Sequence, residues 1–190
     1  GGDRAGRMRL PLQVAAAVRA AWPAERPLFF RMSTVDGVGI GWSLADSIEL
    51  ARHLRALGVD VVDCSSGGMN LPSAASLVAR TPGCQVPFAR VLRRQSGIAT
   101  MAVGLIRTPE HANAVIADGD ADLVALGREH LWNPNWAAQA AVPQALVRPA
   151  PRSHVRIMMW SRATIWASVM LARSGKIGWF SSNGPKRARS

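Results

Sequence analysis

Two short stretches combine residue types that could hold an anion. IATMAVGLI, starting at Ile98, ends in a turn around Gly104, and DLVALGRE, starting at Asp122, ends in Gly127-Arg128-Glu129; the helical segment TPEHANAVIADGDA separates them. Apolar runs joined by one helix read as consecutive parallel strands, so both turns fall on a common rim with their backbone N–H groups. Glycine lets the backbone approach a phosphate closely, and Arg128 can add a charge-assisted contact. The alternative stays open: glycines commonly end strands, and Arg128 could simply cap the chain or pair with Glu129.

Arg31 interrupts the apolar run LFFRMS. A charge in that setting has to be paired or face a ligand to offset its desolvation. Asp63, at the end of the next apolar run, is the structural partner; a ligand is the functional one. Ser65 and Ser66, before Gly67-Gly68, could bind a ligand but equally suit a turn. Cys64 reads as a small core residue and Cys84 as a loop residue, since nothing nearby in sequence would activate either thiol. His53, His111, His130 and His154 fall into no acid-base or metal pattern and are expected at the surface. With no tyrosine in the chain, one common proton donor is excluded.

The elements that position these residues follow a regular rhythm. Met8 to Ala21 carries Leu12, Val14, Ala15 and Val18 at helical spacing, and Trp22-Pro23 ends it. LFFRMS is a continuously apolar run, the mark of a strand covered on both faces. After the loop DGVGIGW, Ser43 and Asp46 predict a capping box for the helix LADSIELARHLRALG, closed by Gly58. Then come the strand VDVVDCSS, a long excursion MNLPSAASLVARTPGCQ, the helix PFARVLRRQSG, and the two strands of the rim with their helices PEHANAVIADG and PNWAAQAA. One helix followed by four strand-helix units implies parallel pairing with right-handed crossovers, hence a β/α barrel or a doubly wound sheet. The polar and glycine residues gather at the carboxyl ends of the strands, as in a barrel, and no GxGxxG fingerprint follows the first strand.

Charge divides the chain. Residues 1–147 hold 14 arginines against 12 acids, whereas residues 148–190 hold nine Lys/Arg and no acid, out of a net +11. A basic patch for nucleic acid or an anionic membrane would therefore come from the tail, which is expected to be irregular and separate from the fold. Two cysteines without CxxC spacing indicate neither a disulfide framework nor a zinc site, so a reducing cytoplasm is the default and no metal is expected. The best apolar stretch, from Ile157, is broken by Arg162, so no membrane span is expected. The opening GGDRAGRMRLPLQ reads as the interior of a longer protein.

Taken together, the RMR at 7–9, the strand arginine Arg31, VDCSSGG at 62–68 and LGRE at 126–129, in this order and spacing, resemble the second half of the Old Yellow Enzyme family of NADH:flavin oxidoreductases, particularly its bacterial thermophilic-like NADPH dehydrogenases. The similarity extends over about residues 1–141. It implies an α/β fold: a partial TIM (β/α)8 barrel with strands five to eight in residues 1–147, followed by the basic tail. It also implies noncovalent FMN, NADPH or NADH as hydride donor, and an enone or similar activated alkene as acceptor, with a homo-oligomer for the full-length enzyme. Arg31 then matches the arginine at the pyrimidine edge of the flavin, where it would stabilise negative charge on the reduced ring. Val103 and Gly104 match the phosphate turn after the seventh strand, Gly127 and Arg128 match the clamp after the eighth, and Arg7 has a structural role. The family's proton-donating tyrosine and its His-His or His-Asn substrate pair belong to the first half, so no catalytic residue is expected here and the chain alone is expected to be inactive. Departures are Cys84 in place of a tyrosine or similar residue, GGDRAG in place of GGS-x-EN, and the sequence beyond Ala141, for which a frame change or fusion would account. The alternative is a non-catalytic chain whose basic tail binds nucleic acid or anionic membrane.

Overall fold

The computed structural model describes residues 1–37, 41–66, 78–147, 156–159 and 169–172. In chain order the elements are α1 (Arg4–Ala21), β1 (Phe29–Ser33), α2 (Leu44–Ala56), β2 (Val61–Ser65), α3 (Val86–Ser96), β3 (Ala99–Ala102), α4 (Pro109–Ala117), β4 (Leu123–Val124), α5 (Arg128–Trp132), α6 (Trp136–Val147), β5 (Arg156–Met159) and β6 (Val169–Ala172). The excursion after β2 is described from residue 78 onward, so Gly67 and Gly68 lie outside the described residues, as does most of the tail with His154. In the described part of the tail, β5 and β6 pair antiparallel, an ordered feature in a segment expected to be irregular.

Strands β1 to β4 form one parallel sheet in the order β1-β2-β3-β4. That order settles the choice left by the sequence. A doubly wound sheet reverses direction at a switch point and places helices on both faces; here every crossover steps the same way. Right-handed connections that all step one way leave their helices on one face. Packing agrees: Met32, Val62, Cys64, Ala102 and Val124 from the strands share one buried cluster with Ala15, Leu54, Leu92, Val115 and Ala137 from the helices. The opposite face buries a separate group, Val61, Met101, Leu123 and Ala125, flanked by Phe29, Ala99 and Val103. This is the winding of a β/α barrel.

Local signals account for most boundaries. The Ser43 side chain accepts from the Asp46 N–H while the Asp46 carboxylate accepts from the Ser43 N–H at 3.0 Å, the expected capping box of α2. Gly58 (φ +86°) follows α2, and Gly97 (φ +69°) closes α3, in the left-handed region that glycine enters without strain. Arg93 donates to Asp122, while Arg90 pairs with Asp120, so α3 is bolted to the chain entering β4.

Three expectations need correction. α1 begins at Arg4, capped by Asp3, and only Ala15 of the four predicted inward residues is buried, joined by Met8; Leu12 packs at the margin, and Val14 and Val18 are exposed. Periodicity finds an apolar stripe, but only one side of α1 meets α2 and the sheet. β1 is not covered on both faces: Arg31 and Ser33 are exposed and only Met32 is buried, because β1 is an edge strand. A short helix, α5, also intervenes between β4 and the last helix, which runs on to Val147.

Candidate functional site

β-pairing fixes which side chains share a face. Arg31, Asp63, Met101 and Leu123 form one row across β1 to β4, on the sheet face away from the helices. Arg31 Nη1 donates to Asp63 Oδ2 at 2.9 Å. The structural partner anticipated for Arg31 is therefore present. The pair is asymmetric, with the Arg31 side chain 50% exposed and that of Asp63 only 8%. Burial pushes the Asp63 carboxyl above its ordinary range, and the nearby Arg31 guanidinium partly opposes this. Asp63 Oδ1 is buried with no hydrogen-bond partner. Arg31 is thus held by Asp63, with its side chain half exposed.

Two turns meet at the carboxyl ends of β3 and β4. Pairing continues past the short β4, since the Ala125 N–H donates to the Ala102 carbonyl at 2.8 Å, so the two turns leave adjacent strands spaced roughly 4.8 Å apart. Val103 packs half-buried against the face that holds Val61 and Met101. Gly104 has φ +116°, and a Cβ there would lie 3.1 Å from both Cys84 Sγ and Gln85 N, so glycine is required by conformation and by space. Its carbonyl accepts the Gly83 N–H at 2.8 Å.

Gly127 contrasts with this. It is the N-cap of α5 with no side-chain cap, and a Cβ built on it meets nothing within 4 Å. The protein's own packing does not demand glycine there; the space beside it is open. Of the first N–H groups of α5, that of His130 donates to the Gly127 carbonyl at 3.1 Å, while those of Arg128 and Glu129 have no helical acceptor. Arg128 is exposed and has no hydrogen-bond or ion-pair partner among the described residues. The proposed pairing with Glu129 does not occur: Glu129 Oε1 lies 3.4 Å from Arg107 Nε instead. An open backbone cradle, uncapped amides and an uncommitted guanidinium are what an anionic oxygen cluster requires.

Other candidates fall away. Ser65 Oγ donates to the Met32 carbonyl, and Ser66 Oγ accepts from Gln85 Nε2 at 3.1 Å, both internal contacts. Cys64 is fully buried, and burial drives its thiol well above the ordinary range, which suits a core residue. Cys84 is half-buried against Gly104. His53 is exposed beside Glu49, as expected. His111 and His130 are half-buried rather than at the surface, and His130 Nδ1 has no partner. The Arg7 guanidinium sits 5.6 Å from the centre of the Trp42 ring, a structural contact between α1 and the start of α2. Arg4, which no sequence pattern marked, pairs with the capping residue Asp46 at 2.7 Å. Arg107 was likewise missed; its carbonyl is pinned by Trp136 Nε1 at 2.9 Å. Among the described residues no helix is long and apolar enough to cross a membrane, and no group of three or more His, Cys, Asp or Glu could hold a metal.

Comparison with known proteins places this geometry. Residues 1–145 match the model of the NADH:flavin oxidoreductase / NADH oxidase family. An NADPH dehydrogenase of Geobacillus thermodenitrificans is 40% identical over 156 residues, which cover 82% of this chain and 44% of that protein. NADPH dehydrogenases of Halalkalibacterium halodurans and Listeria monocytogenes are 35% and 38% identical, with the same coverage. The chain spans less than half the length of these relatives.

Proposed function

Because the chain belongs to the NADH:flavin oxidoreductase / NADH oxidase family, we propose that residues 1–147 are the carboxyl half of an FMN-dependent β/α barrel, contributing strands five to eight. The whole enzyme takes hydride from NADPH or NADH and passes it to an enone or similar activated alkene. Residues 148–190 are a basic segment beyond the family match, and its strand β6 lies against β4 and α4.

The observation that carries this reading is the open cradle at Gly127, beside the uncommitted Arg128 and the uncapped start of α5. These residues suit the phosphate of FMN. Gly104 and Val103 supply the neighbouring backbone of the same rim, and Arg31 meets the pyrimidine edge of the ring. When bound, FMN supplies the hydride-accepting and hydride-donating ring. This chain's residues bind and orient that group; the proton donor and the substrate pair lie in the preceding half, so the chain alone is inactive.

The test uses FMN and riboflavin as paired probes, since riboflavin lacks the phosphate. Flavin fluorescence titration should show Arg128→Ala weakening FMN by about 2 kcal/mol, roughly thirtyfold, while leaving riboflavin affinity unchanged. Equal FMN affinity in the variant and the parent chain overturns the phosphate role.

A further inference from the structure

We propose that Arg107 is a positioning residue for the anion site: it holds the Glu129 carboxylate and cancels its charge, so that the phosphate beside Arg128 meets a net positive turn. The inference rests on the FMN phosphate reading above and adds the residue that sets the charge balance of that site.

Arg128 and Glu129 are consecutive, so a cation and an anion stand side by side in the turn after β4 and their charges cancel. A phosphate group carries roughly −1.5 to −2 at neutral pH, and an uncompensated carboxylate next to it repels it. Arg107 supplies the compensation. Its Nε lies 3.4 Å from Glu129 Oε1, and with it the three side chains sum to a single positive charge.

Arg107 reaches Glu129 from the other turn, the one that follows β3. The backbone there is fixed on both sides. The Gly104 carbonyl accepts the Gly83 N–H at 2.8 Å, Ile106 is buried, and the Arg107 carbonyl accepts from Trp136 Nε1 at 2.9 Å. Between these fixed points Leu105 has φ +54°, the one non-glycine residue in the left-handed region among the described residues. An L side chain keeps that conformation only where its surroundings impose it. The turn is therefore held in one shape, and that shape carries Arg107 across to Glu129.

Folding stability does not account for the pair. The Arg107 and Glu129 side chains are 61% and 34% exposed, and an ion pair at such exposure contributes little to the fold. Glu129 is also the one partner of the Arg107 guanidinium among the described residues, so its charge is directed at that carboxylate.

The experiment titrates FMN and riboflavin into the 190-residue chain and follows flavin fluorescence. Arg107→Gln keeps a long polar side chain but removes the charge; it should weaken FMN about fivefold and leave riboflavin unchanged. Adding Glu129→Gln removes the anion that Arg107 cancels, and the double variant should return to within about twofold of the parent's FMN affinity. Arg107→Lys keeps the charge and should bind FMN as the parent does. An FMN affinity in Arg107→Gln equal to the parent's overturns the inference, as does a matching loss of riboflavin or a double variant no tighter than Arg107→Gln. Should Arg107→Gln fail to fold, Glu129→Gln alone replaces it: the turn becomes more positive and FMN should bind tighter, and an unchanged affinity overturns the proposal. A parent chain that binds FMN no tighter than riboflavin overturns the phosphate reading instead. ³¹P NMR titration with inorganic phosphate then decides the role of Arg107: weaker binding in Arg107→Gln than in the parent supports it, and equal or absent binding in both overturns it.

Discussion

Arg93 on α3 and Asp122 at the entry to β4 meet at 2.9 Å between Nε and Oδ2, and the same carboxylate oxygen accepts the Thr100 N–H at 3.0 Å. One carboxylate thus joins a helix, the start of β3 and the approach to β4. β4 itself contributes two residues to the ladder, and this contact adds a tie at its entry. Asp122→Ala should cost about 2 kcal/mol, seen as a lower urea midpoint with an unchanged slope.

The two rim glycines should respond in opposite ways. Gly104→Ala forces a side chain into 3.1 Å contacts with Cys84 Sγ and Gln85 N at a left-handed φ, so it should lower stability by about 1–3 kcal/mol in chemical denaturation. Gly127→Ala meets no protein atom within 4 Å and should leave the denaturation midpoint unchanged while weakening FMN binding. Loss of stability without loss of FMN in Gly127→Ala contradicts the cradle.

The capping box gives a pH signature. Hydrogen bonds from the Ser43 side chain and backbone hold the Asp46 carboxyl below its ordinary value of 3.8, with Arg4 adding to the effect. A lowered folded value contributes stability that is present above 3.8 and lost as pH falls through the lower folded value. Ser43→Ala should cost about 1 kcal/mol near neutral pH, with the deficit shrinking under strongly acidic conditions. Unfolding curves between pH 2 and 7 check this.

Asp63 has the opposite sign. Its carboxyl is raised by burial, so its contribution favours the fold below the ordinary value and is lost as pH rises through the folded one. Arg31→Gln removes the attraction that restrains this shift. Carbon-detected NMR titration of the Asp63 carboxyl should then show its midpoint moving higher, and stability falling more steeply toward neutral pH than in the parent chain.

Local chemistry was readable from the sequence wherever it is complete within a few residues. Ser43 with Asp46, and the closing glycine Gly58, state their own conformations. Arg31 announced that it needed a partner, because a charge among Leu28, Phe29 and Phe30 has few alternatives, and Asp63 lay one strand away. Gly104, Gly127 and Arg128 stand out by their place at strand ends, and Val103 by the family resemblance alone. What escaped depends on contacts that sequence order does not encode. Val14 and Val18 have the spacing of an inward face yet point to solvent. α5 is too short to show a period. Arg107 takes its partners from α5 and from α6, elements that no pattern around residue 107 identifies.

The hydrogen bond from Gly83 to the Gly104 carbonyl links the approach to α3 with the turn after β3. Because Cys84 and Gln85 also crowd the space beside Gly104, the two loops are held against each other. A protease nick near Arg80, or a bulky adduct on Cys84, would therefore unseat the turn that carries Val103 and Gly104 without touching either residue.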